Sequence, residues 1–114
     1  QSGLVSDKGT RKAAYSAYRL PIHVRDTSVR RGRKISIWGL VRPGRAGVRE
    51  RVQLQLRRGK RGRFRTVRTV RTDSRRGYFS ARVTLRRSGA VRFRWKSPRN
   101  RRTYSSRVIG VRAR

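Results

Sequence analysis

Four carboxylates are available for acid–base chemistry in this chain: Asp7, Asp26, Glu50 and Asp73. Glycoside hydrolysis needs two such groups facing one another across a sugar. Nothing in their spacing pairs any two of them. Asp7 and Asp73 fall in turn-like stretches, where Asp commonly bonds nearby backbone N–H groups. His23 is the sole histidine and cysteine is absent. Thiol chemistry, disulfides and Cys-based metal sites are therefore excluded, and one imidazole does not supply the three or four ligands zinc requires. A serine triad through His23 and Asp26 has no nucleophile-elbow motif to support it. Gly59 and Gly62 lie between extended runs rather than ahead of a helix, so they do not form a phosphate-cradling loop. The side chains predict no catalysis, no metal and no cofactor.

Cationic chemistry is abundant. The 114 residues carry 35 Lys+Arg against 4 Asp+Glu, a net charge of +31. Lysine occurs only at 8, 12, 34, 60 and 96, and the remainder is arginine, whose planar fork grips phosphate, sulfate and carboxylate in bidentate fashion. A GC-rich genome explains the arginine excess equally well, but the resulting field is physical either way. One cluster comprises Arg57, Arg58, Lys60, Arg61, Arg63 and Arg65, continued by Arg68 and Arg71. A second comprises Arg99, Arg101 and Arg102. The expected partners are acidic polymers: cell-wall or extracellular polysaccharide, and nucleic acid bound without sequence preference. A solvated loop in a chain that is basic everywhere accounts for each cluster more simply than a specific ligand does. Nonspecific polyanion affinity at low salt follows from total charge alone. No helix-turn-helix, zinc finger or RNP-type aromatic motif is present.

These side chains are positioned by an alternating scaffold. Residues 34–41, 48–57, 64–72, 78–85, 90–96 and 104–111 mostly alternate apolar with polar, the period of a half-buried strand, and 22–29 leads into them. Val52, Leu54 and Leu56 should face inward, Gln53 and Gln55 outward. Val91, Phe93 and Trp95 should face inward, Arg92, Arg94 and Lys96 outward. Trp38 is out of phase with Ile35 and Ile37, which predicts the more exposed of the two tryptophans. About seven strands at roughly ten-residue spacing predict an all-β fold, a seven-stranded antiparallel Greek-key immunoglobulin-like sandwich over 25–114. An N-terminal arm over 1–24 precedes it, with Thr10 as N-cap of a short helix at about 11–19 ended by Pro21. No stretch is apolar for long enough to span a membrane. Residues 1–9 lack the pattern of a signal peptide, so export would require a leader removed upstream.

Gly32, Ile35, Ile37, Gly39-Leu40-Val41-Arg42-Pro43, Gly47, Val52-Gln53-Leu54-Gln55, Phe64, Val67, Thr72-Asp73, Gly77-Tyr78-Phe79-Ser80 and Val91-Arg92-Phe93-Arg94 follow an order that resembles the immunoglobulin-like, fibronectin-III-like accessory domains of secreted actinobacterial proteins. The stretch Arg11-Lys12-Ala13-Ala14-Tyr15-Ser16-Ala17-Tyr18-Arg19-Leu20-Pro21 resembles the C-terminal end of a barrel glycoside hydrolase. The resemblance implies a noncatalytic extracellular structural or interaction module. Tyr15, Tyr18, Leu20 and Ile22, left without a barrel to pack on, would then self-associate head-to-tail into a filament. The alternatives are a nonspecific nucleic-acid-binding protein and the accessory domain of a secreted glycoside hydrolase.

Overall fold

A computed structural model describes residues 15, 18–41, 50–72, 77–98 and 101–114. The elements formed by these residues are nine strands: β1 (Ile22–Val24), β2 (Ser28–Val29), β3 (Lys34–Leu40), β4 (Arg51–Arg58), β5 (Arg65–Arg71), β6 (Tyr78–Thr84), β7 (Gly89–Lys96), β8 (Thr103–Ser105) and β9 (Ile109–Ala113). The fold is all-β. One sheet has the order β1-β3-β6; the other has the order β2-β9-β7-β4-β5, with β8 also paired to β7.

Alternation decides which side of each strand is dry. In β3, Ile35 and Ile37 are buried; in β4, Val52 and Leu54; in β7, Val91, Phe93 and Trp95. The two sheets contribute to one core. Phe79 of the smaller sheet meets Phe93 of the larger edge-to-face, with ring centroids 4.5 Å apart, the offset geometry that aromatic quadrupoles favour. Gly39 is required there, because a Cβ would come within 2.6 Å of both Phe79 Cζ and the Pro21 carbonyl oxygen.

The structure departs from the sequence expectation in four places. Nine strands replace seven, and the sheets are not wholly antiparallel, because β2 pairs in parallel with β9 through Ser28↔Arg112 and Val29↔Ala113. The expected last strand over 104–111 is two strands. The buried Ser106 separates them: its N–H donates to the Phe93 carbonyl (2.9 Å), and its Oγ accepts from the Phe93 N–H (2.8 Å). Gln55 holds the expected outer side of β4, opposite Arg92, but is buried there rather than solvated, beside a register shift between Leu54 and Gln55 on the β5 side. Leu20 and Ile22, expected on a self-association face, are buried in the chain's own core.

Most of the helix expected over 11–19 lies outside the described residues; Tyr15, Tyr18 and Arg19 have helical backbone. The described residues of this arm pack on their own chain. The Arg19 guanidinium lies 4.6 Å from the Tyr104 ring centroid and 5.3 Å from that of Trp95. At the opposite margin of the larger sheet, β5 has almost every residue exposed, Val67 included. Among the described residues, no helix is long and apolar enough to cross a membrane.

Candidate polyanion-binding site

Pairing between β4 and β7 sets Arg51, Gln53, Gln55 and Arg57 on the same outer face as Arg92, Arg94 and Lys96. Gln55 stands opposite Arg92, and Gln53 opposite Arg94. Since Val52, Leu54, Val91, Phe93 and Trp95 fill the core, the intervening cations have no other side to occupy.

Phe64, just before β5, organises part of this face. The Arg92 guanidinium lies 4.1 Å from its ring centroid and that of Arg57 lies 5.3 Å away, so two like charges share one aromatic ring. Their hydrogen-bond acceptors are neutral: Arg92 Nε donates to Gln55 Oε1 at 2.9 Å, and Arg57 Nε donates to the Gly59 carbonyl at 3.2 Å. Gln55 is held in turn by donating from Nε2 to Thr66 Oγ1 at 3.2 Å. Burial holds the Arg92 guanidinium below its ordinary value, with further contributions from the charges of Arg94 and Arg57. An anion arriving here would relieve that repulsion. One step along β7, Arg94 Nε is buried and has no hydrogen-bond partner, leaving a donor unsatisfied. Arg94, Lys96, Arg51 and Thr103 line a cleft of about 470 Å³.

The two clusters expected from sequence sit at opposite ends of β7. Arg57, Arg58, Lys60, Arg61, Arg63 and Arg65 belong to the β4–β5 hairpin, whose loop turns through Gly59 in the left-handed region at φ 71°. Arg58 is paired with Gly89 at the start of β7. Arg101 and Arg102 precede β8, which pairs with the far end of β7 through Lys96↔Thr103. The ends of β7 are roughly 24 Å apart at strand rise. Arg99 lies outside the described residues. The outer row Arg92, Arg94 and Lys96 crosses the interval and joins the clusters into one basic track. Alternation predicts these three outward, in water, and Phe64 within a strand; nothing local signals that Phe64 will reach Arg92.

The remaining candidate residues do not converge. His23 lies on the smaller sheet against Trp38, with ring centroids 4.4 Å apart. Glu50 Oε2 accepts a hydrogen bond from Trp95 Nε1 at 3.3 Å. Trp38 is exposed and Trp95 buried, as the phase of their strands predicts. Asp7 and Asp73 lie outside the described residues. Tyr15 and Tyr18 are exposed, and Tyr15 also packs edge-on against Tyr104.

No protein-family model matches the sequence, and no curated protein does. Solved structures match by fold. A superoxide reductase (neelaredoxin) from Ignicoccus hospitalis is similar with a TM-score of 0.70 at 11% identity, over 95% of this chain and 92% of that one. A point variant of that protein gives 0.68 at 10% identity, over 96% and 92%. A Thermotoga maritima protein assigned as a superoxide reductase gives 0.68 at 10% identity, over 83% and 85%.

These neighbours overturn the family reading. The fold is similar to that of superoxide reductases, not to an immunoglobulin-like accessory domain preceded by a glycoside-hydrolase tail. The motifs that suggested otherwise combine turn glycines with alternating apolar residues, which unrelated antiparallel proteins of this size share. The noncatalytic structural module, the filament and the accessory-domain assignment rested on that resemblance. They fall with it, and the expectation of no catalysis, drawn from the side chains, stands against fold neighbours that are named as superoxide reductases.

Proposed function

We propose that the outer face of the larger sheet binds polymers bearing oxyanions, engaging them along the track from the β4–β5 hairpin to the loop before β8. The observation that carries this reading is the Arg92–Phe64–Arg57 arrangement: two guanidiniums held on one ring, with neutral acceptors at their Nε atoms. Ordering these side chains before a ligand arrives lowers the entropic cost of binding. The two sheets serve as the layers of a β-sandwich that carries the track on its outer face.

Fluorescence anisotropy with labelled polyphosphate over a range of salt tests this. Arg92→Gln and Arg57→Gln should each reduce the salt slope by about one contact. Arg31→Gln, in the turn before β3, supplies the comparison. Equal effects from all three would reduce the track to bulk charge and overturn the site.

The structural neighbours introduce a second reading, superoxide reduction. A redox metal would draw on imidazole, thiolate or carboxylate donors. The sequence holds one histidine and no cysteine or methionine, and the described residues contain no group of three or more His, Cys, Asp or Glu. His23 and Glu50 are engaged on different sheets. The donors of this chain do not fit such a centre. Superoxide consumption by the purified chain, abolished by a chelator, is the result that would establish the activity.

A further inference from the structure

The smaller sheet carries a second surface that the basic track does not use. Trp38 is 38% exposed and Tyr78 47% exposed, although both belong to strands whose neighbouring residues fill the core. Pairing sets Trp38 opposite Ser80 and Leu40 opposite Tyr78. The two rings are thus diagonal neighbours on the outer face, about 7–8 Å apart at their backbones. His23 packs against the Trp38 ring from β1. Beside Trp38 opens a cleft of about 420 Å³ lined by Lys34, Ser36, Arg68, Ser80 and Arg82, Arg68 reaching in from β5 of the other sheet.

We propose that this face binds a segment of single-stranded nucleic acid, with bases stacked on Trp38 and Tyr78 and phosphates met by Lys34, Arg68 and Arg82. The inference rests on the polyanion-binding reading and adds a base-recognising surface to it. Exposed rings on the face of a sheet suit bases, because every base offers a π-face, and flanking cations supply the backbone contacts. The chemistry of the cleft favours a nucleotide over an acidic sugar. Lys and Arg only donate hydrogen bonds, which suits phosphate. Sugar hydroxyls also need acceptors, and among these lining side chains only the two serines provide them.

Intrinsic fluorescence tests the proposal, since Trp38 is exposed and Trp95 is buried. Oligothymidylate should quench Trp38, whereas polyphosphate, a polyanion without bases, should bind without comparable quenching. Trp38→Leu and Tyr78→Leu should each weaken oligothymidylate binding about tenfold or more and leave polyphosphate binding unchanged. Trp38→Phe, which keeps a ring, should restore most of the affinity and guards against misfolding. Equal losses for both ligands, or no loss for either, would overturn the stacking surface while leaving the basic track intact. Failure of the wild-type chain to bind polyphosphate would instead remove the track. A sulfated polysaccharide that quenches Trp38 as strongly as oligothymidylate would overturn the choice of nucleic acid.

Discussion

The Arg92 guanidinium rests 4.1 Å from the centre of the Phe64 ring and donates through Nε to Gln55. Its position is thus set by an aromatic face and an amide, neither of which neutralises it. Phe64→Leu removes the ring while keeping an apolar side chain. It should cost about 0.5–2 kcal/mol of stability, read by chemical denaturation. It should also weaken polyphosphate binding, because Arg92 and Arg57 lose their common support.

Crowded guanidiniums make the protein responsive to multivalent anions. Sulfate should raise the melting temperature more than sodium chloride of equal ionic strength. An anion present at 100 times its dissociation constant stabilises by about 2.7 kcal/mol. Arg92→Gln should lose part of the sulfate increment, because it removes one of the crowded guanidiniums. An equal sulfate increment in Arg92→Gln and wild type would place the anion elsewhere.

Ser106 closes the gap between β8 and β9. Its Oγ accepts from the Phe93 N–H and donates to the Arg107 carbonyl at 2.9 Å. Ser106→Ala should cost about 1–3 kcal/mol, because it strands a buried backbone donor. Amide exchange at Phe93 is the local readout, and it should accelerate beyond the global change.

Leu20 is fully buried with Ile22 and Val24 in the shared core. Leu20→Ala should therefore destabilise the monomer by about 2–5 kcal/mol. The loss should be independent of protein concentration in a denaturation series. A concentration-dependent loss would return Leu20 to an intermolecular contact.

The strands that cross the core were legible because their chemistry is local. Residues 34–41, 78–85 and 90–96 alternate cleanly, and β3, β6 and β7 follow within a residue or so. The misses share one cause, dependence on distant partners. The pairing of Ser28 and Val29 with the last strand spans most of the chain and involves two residues, too few for a periodic signal. Gln55 stays on the outer face opposite Arg92 but is covered there by its bonds to Arg92 and Thr66, partners that alternation within β4 does not encode. At the candidate site, arginine density was legible, whereas its order was not. Arg92 and Phe64 are 28 positions apart, and only the β4–β5 hairpin, folded beside β7, brings them together.

The outermost strand of the larger sheet offers a free edge, and Arg65, Arg68 and Arg71 occupy it with nearly every residue in solvent. Mutual repulsion keeps two such edges apart. That safeguard lasts only while the charge stands. A long polyanion added to match the +31 would cancel it and bridge neighbouring molecules. Solutions should therefore turn cloudy near charge equivalence and clear again when either component is in excess. The same arginines that keep the protein dispersed would then set the composition at which it condenses.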